Sequence, residues 1–243
     1  MINLLFSEAN FDAKWAYPSV CSYMKKDSRV LVIPVLAGDE WSEDEREWEY
    51  HYRKGSRHYE KIMAPFRNYQ IRDSQVTWFC PHHETHDSAV MKIRNTDMIY
   101  LCGNHPDAMM KMISDLDLHR AFLEFDGVLI GDTYGSAIMM DTYDSAYEWE
   151  DETCNGLGLM RGFALEPGYV EDVRHLERII RDIEVEGKAV FGFGKDGGVI
   201  IDNGHYELLG NAFTCNDGDL DNIYHAYEDA KSREEYYGDN GLW

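Results

Sequence analysis

The sequence predicts an α/β fold in which helices cover both faces of a mainly parallel central sheet, and three observations carry that expectation. Apolar, β-rich runs alternate with stretches of helical period through the first half of the chain. Glycines stand where two of those runs give way to the next amphipathic stretch, at Gly103 and Gly131. With 243 residues, 44% of them hydrophobic, the chain can cover such a sheet on both faces. No internal repeat, Pro-rich linker or low-complexity tract divides residues 1–243, so a single three-layer domain is expected.

Taken in order, residues 3–6 and 29–36 read as buried strands, separated by a segment, 12–26, that carries Trp15, Val20 and Tyr23 at helical spacing. Residues 39–61 are crowded with charges and aromatics (Trp41, Trp48, Tyr50, Tyr52, Tyr59). They predict one long surface helix with a partly buried face, a candidate lid or homodimer contact. Residues 96–102 and 127–131 repeat the strand pattern around a Met-rich helical stretch, 106–118. Strands alternating with helices imply right-handed crossovers and a ligand crevice at the strands' carboxyl ends. Beyond Leu159 the pattern changes to a helix over 174–183 and short strands at 189–193, 198–202 and 206–209. Asp202-Asn203-Gly204 marks a hairpin turn between the last two. The acidic tail from Asp217 predicts a helix with a frayed end.

A formal charge of -22, with no Lys/Arg cluster against it, speaks against nucleic acid and anionic membrane as partners. The apolar runs fall far short of the roughly 20 residues that cross a bilayer, and the N-terminus lacks the basic flank and small-residue cleavage site of a leader. The five cysteines (Cys21, Cys80, Cys102, Cys154, Cys215) are odd in number and scattered, which predicts reduced thiols in a cytoplasmic protein. Cys80-Pro81-His82-His83-Glu84-Thr85-His86 is the one cluster with metal-ligand character, because His82 and His86 would share a helical face. No second ligand group accompanies it, so a polar surface turn is expected, and the reading calls for no metal and no cofactor.

Chemistry concentrates in residues 128–137, Val-Leu-Ile-Gly-Asp-Thr-Tyr-Gly-Ser-Ala. An apolar strand running into Gly-x-Thr-x-Gly and then a helical pattern has the layout of a nucleophile elbow, a tight turn that lifts one side chain above the sheet. Thr133 takes the raised position, followed by Tyr134 and Gly135. Upstream, Tyr100-Leu101-Cys102-Gly103-Asn104 ends a strand that can offer backbone N–H groups to an oxyanion beside the elbow. His105, next in the chain, is the best placed of the ten histidines to act as a base, although a residue beside a helix start is also an ordinary cap. Ser136 belongs inside the first helical turn and reads as a packing serine. His175 and His205 fall on a helical surface and beside the hairpin turn.

In these loops the sequence resembles the peptidase E and cyanophycinase family of serine peptidases. Gly103-Asn104 is similar to the family's Gly-Asn loop and 131–136 to its elbow. Gly156-Leu157-Gly158-Leu159 resembles the segment before its catalytic histidine, and 191–201 with 207–210 its closing strands. The resemblance implies a glutamine-amidotransferase-like, flavodoxin-like fold and a serine-type hydrolase of small peptides. It also marks departures. Thr133 stands in the place of the nucleophilic serine, and Gly168, in Glu166-Pro167-Gly168-Tyr169, in the place of the histidine base. An acidic position of the closing strand falls on Lys195 or, with a one-residue slip, on Asp196, and Glu148 is the candidate third member of the triad.

In an active version Thr133 would attack a carbonyl while the amides of Gly103 and Tyr134 held the oxyanion. General-base assistance is worth roughly 10²- to 10⁴-fold, so a hydroxyl without a base predicts weak or lost activity. The rival expectation is a non-catalytic protein that binds a small molecule or a partner on the same scaffold. Glutamine amidotransfer is disfavoured because no cysteine lies at the elbow, and a preference for aspartyl peptides is disfavoured by the net charge.

Overall fold

The computed structural model describes residues 1–35, 45–145 and 153–239. In chain order the elements are β1 (Ile2–Phe6), α1 (Tyr17–Val20), β2 (Val30–Val35), α2 (Glu45–Tyr52), α3 (Arg57–Asn68), β3 (Val76–Trp78), α4 (His86–Arg94), β4 (Met98–Gly103), α5 (Pro106–Asp115), α6 (His119–Leu123), β5 (Val128–Asp132) and α7 (Tyr134–Ala137). Then come β6 (Thr142–Asp144), β7 (Thr153–Asn155), β8 (Phe163–Pro167), α8 (Val173–Glu184), β9 (Ala189–Phe193), β10 (Gly197–Asp202), β11 (His205–Gly210), β12 (Phe213–Cys215) and α9 (Leu220–Asp239).

Seven strands form the main sheet in the order β11-β10-β1-β5-β4-β2-β3. The five from β1 to β3 run parallel, while β10 and β11 close one edge as an antiparallel hairpin. The parallel strands read as continuous apolar runs because both of their faces are covered. Leu5, Leu31, Ile33, Ile99, Leu101 and Leu129 point to one face, where Ala89, Met109, Ile113 and Phe122 of the helices cover them. Their neighbours Leu4, Phe6, Val32, Tyr100 and Ile130 point to the other, against Tyr52, Ile62 and Phe66. A three-stranded sheet, β12-β9-β8, and the pair β6-β7 stand apart from the main sheet. Phe191 and Phe193 of β9 join the core on the first face.

Three expectations need correction. The helix anticipated over 39–61 is two helices, because the chain breaks at Gly55 and the Ser56 hydroxyl caps α3 by accepting the Tyr59 N–H at 3.2 Å; residues 39–44 lie outside the described residues. The helical spacing over 12–26 yields only the single turn α1. Turn bonds from Ala13 to Asn10 and from Ala16 to Ala13 close the approach to it, and they consume the backbone groups a longer helix would need. Helix α5 stops at Asp115, and Asp117 beyond it has φ 50°. Among the described residues no helix is long and apolar enough to cross a membrane.

Candidate active site

Parallel alignment brings the carboxyl ends of β1, β4 and β5 to one edge of the sheet, and the chain leaves β5 there through Thr133. This residue has φ 45° and ψ -112°, a conformation that costs a non-glycine residue about 1–3 kcal/mol. The surroundings fix it: the Thr133 N–H donates to the Phe6 carbonyl at 2.8 Å, and its own carbonyl accepts from Ser136 and Ala137. A side chain at Gly135 would bring its Cβ to 2.2 Å from the Leu101 carbonyl oxygen, so glycine there lets α7 sit against β4. Ser136 is fully buried, and its hydroxyl both accepts from the Phe6 N–H and donates to the Phe6 carbonyl, at 3.1 Å each. It pins the elbow to β1.

Two cavities meet at Thr133. One, of about 160 Å³, lies between the sheet edge and the α2–α3 hairpin; Tyr52, His58, Lys61, Gly103, Asn104 and Asp132 share its wall with Thr133. The other, of about 460 Å³, adjoins it, and there Ser7, Glu8, Lys61, Gly168 and Lys195 surround the same threonine. A larger hollow of about 570 Å³ lies at the amino ends of the strands, around Met1, Asp97, Asp126 and Asp202. The elbow end is where an open α/β sheet presents its ligand crevice.

The residues singled out in the sequence are thus distributed as follows. Thr133, Gly103 and Asn104 share one cavity, and Thr133 and Gly168 share the other. Tyr134 opens α7, so its N–H has no intrahelical acceptor. His105 caps α5, its Nδ1 accepting the Ala108 N–H at 3.2 Å. Glu148 lies outside the described residues. Lys195 faces Gly168 across the larger cavity and stands 3.9 Å from Glu8. His175, expected on a surface, is in the first turn of α8 and turned inward: its Nδ1 meets Asp172 at 2.7 Å and its Nε2 stands 3.6 Å from Glu166. His83 and His86 face different partners, Glu45 and the Leu116 carbonyl, and the described residues hold no group of three or more His, Cys, Asp or Glu suited to a metal ion.

The Thr133 hydroxyl donates to the Ser7 carbonyl at 2.6 Å, and no histidine nitrogen among the described residues shares in that bond. The Gly103 amide, expected to be open to an oxyanion, instead donates to Asp132 Oδ1 at 3.3 Å. Tyr100 donates its hydroxyl to the other carboxylate oxygen at 2.6 Å. Burial pushes the Asp132 carboxyl up to about 6, against the pull of these two hydrogen bonds.

The sequence reading missed His58, Lys61 and Asp132. His58 and Lys61 are three residues apart on α3, a spacing that puts both on the face bearing Ile62. Burial lowers the His58 imidazole, assisted by the charges of His51, Arg57 and Lys61.

No family model and no curated protein matches the chain. Solved structures do. A protein from Listeria monocytogenes EGD-e provisionally assigned as peptidase E superposes with a TM-score of 0.61 at 13% identity, over 85% of this chain and 96% of the other. The fold is peptidase E-like. A peptidase from an acI-B1 Actinobacterium matches equally well, with a TM-score of 0.61, 13% identity and coverage of 89% and 94%. At this identity the likeness concerns the peptidase E-like fold alone.

Proposed function

We propose that the chain is a peptidase E-like hydrolase of small peptides whose turnover is weak, with Thr133 at the nucleophile position. The observation that carries this reading is the strained elbow itself: a hydroxyl raised at the head of β5, between two cavities, in a conformation the neighbouring backbone enforces. Weak turnover follows from the hydroxyl's partner. A carbonyl accepts the Thr133 hydrogen bond but cannot take the proton, so attack lacks the general-base contribution of roughly 10²- to 10⁴-fold. A second reading, a small-molecule binding site on the same scaffold, is favoured by the Asp132 carboxylate, which holds the Gly103 amide an oxyanion would require.

Purified protein is expected to hydrolyse dipeptide and ester probes slowly, and Thr133→Ala should remove that activity. Vigorous turnover surviving Thr133→Ala would put the active site elsewhere. The double variant Thr133→Ser with Gly168→His tests descent from a hydrolase more directly. Gly168 has φ 72° with no atom within 4 Å of where a Cβ would lie, so the new side chain starts into open space and must accept about 1–2 kcal/mol of backbone strain. A gain of about tenfold or more over wild type is the expected result, since even part of the general-base effect exceeds that.

A further inference from the structure

Strand β11 stands at one edge of the main sheet and pairs only with β10. Asn203 and Gly204 both have positive φ, 49° and 79°, which makes the turn between the two strands the two-residue kind whose flanking residues, Asp202 and His205, bond to each other. Backbone groups of an antiparallel pair alternate between facing the partner and facing away. Glu207 and Leu209 therefore face β10 as His205 does, and the N–H and C=O groups of Tyr206 and Leu208 face outward. The far side of β10 keeps the same alternation: the Gly197 carbonyl, opposite Gly210, points to β1 and accepts the Ser7 N–H at 3.4 Å. Among the described residues nothing pairs with the outward backbone groups of Tyr206 and Leu208. Their side chains are 50% and 37% exposed, on one face of the edge. Edge strands are ordinarily blunted by proline, lysine or a bulge. Residues 205–210 contain neither residue, and their register with β10 runs without a break.

Charge decides what this edge fits. Glu207 and Asp202 lie on its other face, where Glu207 accepts the Ser19 hydroxyl at 2.6 Å and Asp202 the Tyr23 hydroxyl at 3.4 Å. Among the described residues neither carboxylate forms a salt bridge. A second copy of the chain fits poorly. The antiparallel register that engages both Tyr206 and Leu208 of each copy sets the two Glu207 side chains directly opposite, which is destabilising, and each chain brings a net charge of -22. The same position favours lysine or arginine on an incoming strand. We propose that β11 is a docking edge for an extended segment of a partner protein, one with a basic residue between two apolar ones, which adds a strand antiparallel to it. The two apolar residues exchange backbone hydrogen bonds with Tyr206 and Leu208 and lie beside their side chains, while the basic residue points to the other face and meets Glu207. The inference is independent of the chemistry at the elbow.

Fluorescence anisotropy on the intact chain tests this, with the peptide Thr-Val-Lys-Val-Thr carrying fluorescein at its amino end and an amide at the other. Saturable binding is expected, and replacing the peptide's lysine by glutamate should weaken it about fivefold or more. Glu207→Lys in the chain should invert that preference, so that the glutamate peptide binds the tighter; its thermal midpoint, recorded in parallel, establishes that it folds. N-methylation of both valines removes the donors that face Tyr206 and Leu208 and should abolish binding. N-methylation of the lysine, whose N–H points away from β11, should change affinity by less than about threefold. These peptide changes leave the chain itself untouched. No saturable binding of the lysine peptide, equal affinity for the two peptides, a preference unmoved by Glu207→Lys, or binding that survives methylation of the valines would overturn the proposal. So would a dimer in sedimentation velocity that Leu208→Lys dissolves, since the edge would then belong to a second copy.

Discussion

A Gly103→Ala chain is expected to lose about 3 kcal/mol or more of stability, read as a lower urea midpoint at unchanged slope. Gly103 has φ 143°, which an alanine adopts only with strain of about 1–3 kcal/mol. The added Cβ would also lie 1.7 Å from the Val35 carbonyl oxygen and 2.5 Å from its carbon. These are backbone atoms at the end of β2, a strand held between β3 and β4, so they cannot retreat without disturbing sheet pairing, and overpacking adds about 1–3 kcal/mol. Gly187→Ala separates the two causes, since its φ of 65° is also strained but nothing lies within 4 Å of the new carbon. That control should cost only about 1 kcal/mol. A Gly103→Ala midpoint indistinguishable from wild type would contradict the close approach of β4 to β2 at the cavity rim.

Arg178→Met is expected to cost about 3 kcal/mol, and to cost more at pH 8.5 than at pH 5.5. Arg178 lies between two carboxylates, with Nη1 3.4 Å from Glu166 and Nε 3.5 Å from Asp144, while Arg181 holds Asp144 at 2.8 Å from the next turn. Glu166 is only 3% exposed. Burial pushes its carboxyl up to about 8 from a starting value of 4.5, opposed chiefly by the Arg178 charge. The folded state therefore keeps a proton that the unfolded chain releases, and the contribution of Glu166 to stability falls as pH rises from about 4.5 to about 8. Removing Arg178 makes ionisation harder still, which concentrates the loss on the alkaline side. Glu166→Gln takes the titrating group away and should flatten the decline. Urea midpoints of the three proteins at the two pH values check both statements. An Arg178→Met loss equal at both, or a decline unchanged in Glu166→Gln, would show that the arginine does not compensate this carboxyl.

The parallel strands were legible because both their faces are buried, which turns β2, β4 and β5 into apolar runs, the last two of them reaching glycines at Gly103 and Gly131. The elbow was legible for the same reason, since its glycines interrupt such a run at fixed offsets around Thr133. The wall facing it was not. His58 and Lys61 come from a helix whose many charges read as a solvated face, and nothing local announces that this face turns back over β4. Residue spacing held a signal, His58, Lys61 and Ile62 on one stripe, but its meaning depends on a contact across dozens of residues. Asp132 was passed over because the elbow pattern leaves that position unspecified; a carboxylate closing an apolar strand beside a buried tyrosine is the feature that could have drawn attention to it.

The bond between the Thr133 hydroxyl and the Ser7 carbonyl bears on how such a protein would be met in practice. Fluorophosphonate reagents tag a hydroxyl when a neighbouring base accepts its proton as its oxygen bonds to phosphorus and fluoride departs. Here the proton is committed to a backbone oxygen that cannot keep it. A labelling survey of a whole cell extract, sorted by which bands carry the tag, should leave this chain unmarked although it has the overall shape of an enzyme such surveys collect, and the Thr133→Ser/Gly168→His chain, added to the same extract, is the one that should light up.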